Sequence, residues 1–105
     1  MPSTQKSNVV TLGDREVRLR YNFRAADELS ALGINLYAPE TYLSMNPNQL
    51  ASLVWAGQLH EKRPLTRSQV VDRLPLSPEE YVVIANAIAT AIEEAFGNAK
   101  ENPVS

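Results

Sequence analysis

One stretch near the N-terminus decides the fold: residues 9–21, which read VVTLGDREVRLRY. Its centre, Gly13-Asp14, is a two-residue loop of the kind that joins antiparallel strands. Side chains alternate between the two faces of a strand, so this loop predicts an apolar face and a polar face. The apolar face comprises Val10, Leu12, Val17, Leu19 and Tyr21, and the polar face comprises Thr11, Glu16, Arg18 and Arg20.

The rest of the chain predicts helices that cover the apolar face of this hairpin. Residues that favour helix starts are Asn22, Asn46, Thr66 and Ser77, and the last three are followed after three positions by Gln or Glu. Two strands alone are marginally stable in water, so the hairpin must pack on helices. We expect an α+β fold, mainly α, with the N-terminal hairpin packed against four to five helices. The expected helices cover residues 23–32, 47–60, a short segment after Thr66, and 78–96, with a further turn at 39–45 and stops at Gly33 and Gly97.

The length and composition indicate one soluble domain. A chain of 105 residues has room for a single core, and 44% hydrophobic with 21% charged residues is typical of globular domains. We expect a single domain at residues 9–97, flanked by flexible polar segments at 1–8 and 98–105. No apolar run is long enough to span a membrane and the first eight residues do not resemble a signal peptide, so we expect no membrane association.

The inventory of reactive side chains argues against an enzyme. The chain has no cysteine and a single histidine, His60, which excludes disulfides, thiolate nucleophiles and paired histidine ligands. The adjacent acidic pairs fall in expected helices, where neighbouring side chains point about 100° apart and do not share a proton. We therefore expect no catalytic residue, no metal and no cofactor.

The charge distribution is bipolar. Residues 1–24 contain five basic and two acidic residues, whereas the whole chain has ten basic and twelve acidic residues and a net charge of −2. Arg18 and Arg20 either form a solvated strand face that discourages edge pairing or serve as partner contacts. The helix expected at 78–96 has no Lys or Arg, which argues against a helix-turn-helix and does not favour nucleic acid as a partner.

Two helices carry more apolar surface than a single buried face needs. In the helix at 47–60, Trp55 and Leu59 lie roughly 140° from the main apolar face. In the last helix, Val82 and Ala89 widen the apolar arc to roughly 180°. Each excess predicts either additional packing within the chain or contact with a partner, which for the last helix would be a second copy.

The order of turn, core and cap residues resembles that of the small tail assembly chaperones of long-tailed bacteriophages and gene transfer agents. The resemblance spans residues 9–96, nearly the whole expected domain. It is carried by residues 13–23, by Ala26, Glu28, Leu29 and Gly33, by Trp55-Ala56-Gly57, and by Leu65-Thr66 with Val70 and Leu74.

This resemblance implies a non-enzymatic assembly factor of the bacterial host cytoplasm that is absent from the mature virion. Such proteins bind the tape measure protein, help to recruit tail tube subunits around it, and are often also made in a longer, frameshifted form. Two other interpretations stay open. One is a structural tail component, such as a tube or completion protein, and the other is a small nucleic-acid-binding regulator that uses the hairpin arginines.

Overall fold

The structure, a computed structural model, describes residues 8–38 and 46–101, with side chains as far as Gly97. The predicted turn at 39–45 lies outside the described residues. Within them, one antiparallel hairpin precedes four helices, which confirms an α+β fold, mainly α. The elements are β1 (Val9–Leu12), β2 (Arg15–Arg18), α1 (Phe23–Ala31), α2 (Pro47–Gly57), α3 (Arg67–Arg73) and α4 (Pro78–Glu101).

The hairpin has the predicted register and the predicted faces. Val10 lies opposite Val17, and Leu12 lies opposite Arg15, on either side of the Gly13-Asp14 loop. The backbone of Gly13 has a φ of 70°, a conformation that side chains with a Cβ rarely adopt. All members of the predicted apolar face are buried and all members of the polar face are exposed.

The hairpin docks on α2 at a point of very close approach. The Arg20 amide donates to the Gly57 carbonyl at 2.8 Å, and the Tyr21 hydroxyl donates to the Leu53 carbonyl at 2.6 Å. A Cβ at position 57 would lie 3.0 Å from Leu19 Cδ2 and 3.1 Å from Tyr21 Cζ, which is closer than most Cβ contacts, so a larger residue there would displace these two side chains. Burial raises the pKa of the Tyr21 phenol well above its usual range.

The predicted helix starts are observed. Asn46 and Gln49 form a reciprocal capping box at α2, and Thr66 and Gln69 form another at α3. The Asn22 side chain accepts the Ala25 amide at the start of α1. These short polar side chains satisfy amides that the first turn of a helix leaves unpaired, which fixes where each helix begins.

Three of the predicted helix ends differ from the observed ends. Helix α1 ends at Ala31, one residue before the predicted end at Leu32, and Gly33 follows the C-cap with a φ of 81°. Helix α2 ends at Gly57 rather than His60, because the Gln58 side chain turns back to bond the Trp55 carbonyl. The predicted stop of α4 at Gly97 is wrong: the helix continues to Glu101. Gly97 has no positive φ, and the Ala, Lys and Glu that follow it favour helix.

Candidate functional site

The six candidate partner residues lie on three different parts of the surface. Trp55 and Leu59 lie at the end of α2 and in the turn after it, Arg18 and Arg20 lie at the end of β2 and just beyond it, and Val82 and Ala89 lie on α4. The six residues therefore form three separate candidate surfaces and not one site.

Trp55 and Leu59 have packing partners within the chain. Both are half-buried and pack against the main core. Helix α2 contacts α1, α3 and α4, and it is buried on nearly every side. The apolar excess that the sequence shows on this helix is thus accounted for by neighbours in the same chain. Contact of Trp55 with a partner remains a prediction that concerns only its exposed part.

Arg18 and Arg20 line a hollow of about 370 Å³ between the hairpin and α4. The Arg18 guanidinium donates to Asn8 Oδ1 at 3.1 Å, and Asn8 Nδ2 lies 3.3 Å from Glu94 Oε1, to which it donates. Asn8 also donates to the Leu19 carbonyl at 3.1 Å, and it is buried although it ends the stretch expected to be flexible. The network joins Arg18 to the buried Asn8 and brings the Glu94 carboxylate close to the arginines.

Helix α4 keeps part of its apolar surface free. Its main stripe is buried against the core, as expected of a central helix. Val82 and Val83 remain 56% and 61% exposed, and Ala89 is half-buried. Ala89 and Val83 line a hollow of about 460 Å³ together with Val9 of β1. The surface predicted for self-association is therefore accessible.

An apolar groove that the sequence analysis missed lies between the start of α2, α3 and the segment that leads into α4. Its volume is about 440 Å³. Leu76 at its edge is 97% exposed, and Val71 is 46% exposed. The groove is lined by Pro47, Asn48, Leu50, Ala51, Arg67, Val71, Leu74, Pro75, Leu76 and Tyr81.

The sequence did contain a signal for this groove. Leu76 occupies the position directly before the expected cap residue Ser77. An apolar residue in that position commonly packs on the fourth residue of the following helix, which is Tyr81 here. At 97% exposure Leu76 makes almost no such contact. A leucine between Pro75 and Ser77-Pro78 has no helix or strand of its own to place it in a core, so its exposure could have been inferred.

A buried amide holds the loop between α2 and α3. Gln58 is completely buried, and its Nε2 donates to the carbonyls of Trp55 at 2.9 Å and Leu65 at 3.0 Å. The Leu65 amide donates to Gln58 Oε1 at 2.7 Å. The sequence analysis treated Gln58 as an ordinary helical residue. Its position between Gly57 and Leu59, in an otherwise apolar helix end, was the available signal.

Aromatic side chains form a further exposed surface. Phe23 and Tyr37 are 77% and 62% exposed, and they line a hollow of about 480 Å³ beside α1. The Tyr37 ring stacks on Phe96 of α4, with ring centroids 5.4 Å apart and planes 10° apart. The stacking attaches the segment after α1 to the far end of α4.

Within residues 8–38 and 46–101 no helix is both long and apolar enough to cross a membrane. In the same residues no three His, Asp or Glu side chains are grouped as metal ligands would be. The chain matches no protein-family model, no curated protein and no solved structure.

Proposed function

We propose that the protein is a non-enzymatic phage tail assembly chaperone that binds the tape measure protein and helps to recruit tail tube subunits. The proposal rests on the resemblance of residues 9–96 to that family and on the exposed apolar groove. It places the protein in the host cytoplasm during tail assembly and not in the mature virion. A chaperone of this kind needs accessible apolar surface on a stable scaffold and needs no reactive side chains.

The exposure of Leu76 is the observation that carries the proposal. Leu76 and the half-exposed Val71 line the same groove, and a contiguous exposed apolar patch of this kind marks a candidate site for a partner. A groove of this size accepts apolar side chains from one face of an amphipathic helix. One such contact is weak, and many copies along a long helical client would add up through effective concentration.

Self-association belongs to the same proposal. The exposed strip of α4 around Val82 and Ala89 would meet a second copy, so that an oligomer presents several grooves at once. Sedimentation over a wide concentration range tests this: we expect the mass to increase with concentration and Ala89→Glu to prevent the increase. A chain that stays monomeric at high micromolar concentration would contradict self-association but would leave the proposed binding of the client in the groove unaffected.

The proposal predicts that a very long open reading frame for a helical protein lies immediately downstream of the gene for this chain. The decisive experiment is co-expression with the product of that reading frame. We expect that protein to be soluble and to co-purify with the chain, and to be lost to the insoluble fraction with the double variant Val71→Asp, Leu76→Asp. Leu32→Asp is the matched control, since Leu32 is 47% exposed on another surface, against 46% for Val71. If Leu32→Asp lowers the amount of soluble client equally, the groove is not the binding site for the client.

Two further measurements separate the alternatives. Detection of the chain in purified virions would favour a structural tail component over a chaperone. The chain has one tryptophan, Trp55, so its emission reports on that site alone. An emission that is blue-shifted, shielded from quenchers and unchanged by the client would assign Trp55 to the core and not to the interface.

A further inference from the structure

The loop at residues 59–65 is held in one position from three directions. Gln58 fixes its end at Leu65 through two hydrogen bonds inside the core. His60 Nε2 lies 2.7 Å from the Arg18 carbonyl, and it must carry the proton because a carbonyl oxygen only accepts. The Arg15 guanidinium donates to the Arg63 carbonyl at 2.7 Å. The loop is therefore a preorganised part of the surface.

This loop and β2 enclose an open, positively charged hollow of about 550 Å³. It is lined by Arg15, His60, Glu61, Lys62 and Arg63. Three cations thus face one carboxylate, and none of the three forms a salt bridge with any carboxylate in the described part of the chain.

The hairpin turn next to this hollow carries one more cation. The side chain of Arg73, at the end of α3, lies against Gly13, with its Cγ 3.5 Å from where a Cβ at position 13 would stand. The strand, the loop and the end of α3 therefore contribute four cations to one end of the hairpin, against the two carboxylates of Asp14 in the turn and Glu61 in the loop. Fixed cations without carboxylate partners are what an acidic ligand requires.

We propose that this hollow binds a carboxylate-rich segment of a partner protein. Arg15 uses one N–H on the Arg63 carbonyl and keeps others for a carboxylate, which a guanidinium binds through paired N–H groups. The exposed Lys62 forms no hydrogen bond or ion pair with the described residues, so its positive charge is available to the segment. Because the loop is already fixed by Gln58, little main-chain entropy is lost when the segment binds.

The surroundings favour an acidic protein segment over a nucleic acid. No aromatic side chain lines this hollow, whereas single-stranded nucleic acids are usually held by bases stacked on aromatic rings. This proposal does not depend on the tail assembly function.

A labelled peptide of ten glutamates tests the proposal by fluorescence anisotropy at low salt. We expect the double variant Lys62→Gln, Arg63→Gln to bind the peptide about tenfold more weakly, and wild-type binding to weaken steeply with added salt. Arg24→Gln is the control for net charge, since Arg24 is exposed and paired with Glu28 at 3.2 Å on α1. It should change binding less than about twofold.

Four results would overturn the proposal. The first is no peptide binding at low salt, and the second is an equal loss with Lys62→Gln and Arg24→Gln compared as single variants. The third is tighter binding of a single-stranded oligonucleotide of the same charge, which would assign the hollow to nucleic acid. The fourth is self-association that Lys62→Gln abolishes, which would make a second copy the occupant. A circular dichroism spectrum of each variant checks that it is folded.

Discussion

The junction between the hairpin and α2 and the groove beside α3 use the same kinds of residue in opposite ways. At the junction, Leu19 is completely buried and Tyr21 is 5% exposed, and both reach a glycine that leaves room for them. At the groove, Leu76 is 97% exposed although Tyr81 lies nearby to receive it. The type of side chain therefore does not decide its burial.

The difference lies in what the backbone offers to each side chain. Leu19 follows a strand whose direction is fixed by pairing with β1 and by the Arg20–Gly57 hydrogen bond. Leu76 lies in a connection between prolines, where no ladder or helix directs it inward. Surface that a chain does not need for folding is available for binding, so the two regions are expected to respond to substitution in opposite ways.

The largest effect on stability is expected from Leu19→Ala. Removing a completely buried leucine leaves a cavity at the junction, which should lower the free energy of unfolding by about 2–4 kcal/mol. Urea denaturation followed by circular dichroism measures it. Arg20→Ala is the neighbouring control on the polar face, because its side chain is exposed and forms no hydrogen bond or ion pair with the described residues. It should change the free energy of unfolding by no more than about 0.5 kcal/mol. A larger loss of stability for the control on the polar face than for Leu19→Ala would show that the strand register is shifted by one residue.

Gly57→Ala tests the close approach itself. The added Cβ would stand 3.0 Å from Leu19 Cδ2 and 3.1 Å from the Tyr21 ring, so both side chains would have to move by a few tenths of an ångström within the packed junction. We expect this overpacking to lower the free energy of unfolding by about 1–3 kcal/mol. Gly97→Ala is the matched control, because its Cβ would meet nothing within 4 Å in a helical backbone. That variant should be more stable than wild type by about 0.5–1 kcal/mol. A free energy of unfolding that falls with Gly57→Ala and rises with Gly97→Ala would confirm the close contact at Gly57.

The buried phenol of Tyr21 makes the junction sensitive to alkaline pH. Its pKa is raised in the folded state, so folding favours the protonated form. This stabilisation is complete below the pKa of the phenol in the unfolded chain, about 10. Above that pH the free energy of unfolding falls by about 1.4 kcal/mol per pH unit until the pKa of the folded state is reached. Tyr21→Phe should remove that extra slope when the free energy of unfolding is compared between pH 9 and 11. Parallel slopes for the two proteins would contradict a buried, protonated phenol.

The parts of the fold that local rules determine could be predicted. The Gly13-Asp14 loop fixed the register, the period of two assigned the faces, and polar side chains at Asn46 and Thr66 marked helix starts. The prediction at Gly97 is wrong because that glycine keeps a helical backbone, whereas Gly33 adopts the positive φ that is common just after a helix end. The sequence alone does not reveal which conformation a glycine adopts.

The candidate surfaces were harder to predict because burial depends on contacts distant in sequence. The pattern on α2 does not show that α1, α3 and α4 all contact it, so the sequence leaves Trp55 open between the core and a partner contact. Arg18 was assigned from its charge, without its bond to Asn8. The groove beside Leu76 and the loop held by Gln58 are not predictable in the same way, since both depend on how separate elements meet in space.

The smallest effect on stability is expected from Leu76→Ser. A side chain that is 97% exposed has little apolar area to lose, so the free energy of unfolding should stay within about 0.5 kcal/mol of wild type. If the groove receives an apolar face of the client, the same substitution should still lower the amount of client that co-purifies, because binding would bury what folding leaves exposed. Urea denaturation and co-purification on the same preparation measure the two effects. A loss of stability near that of Leu19→Ala would show that Leu76 is part of the core, and the contrast between the two regions would then be wrong.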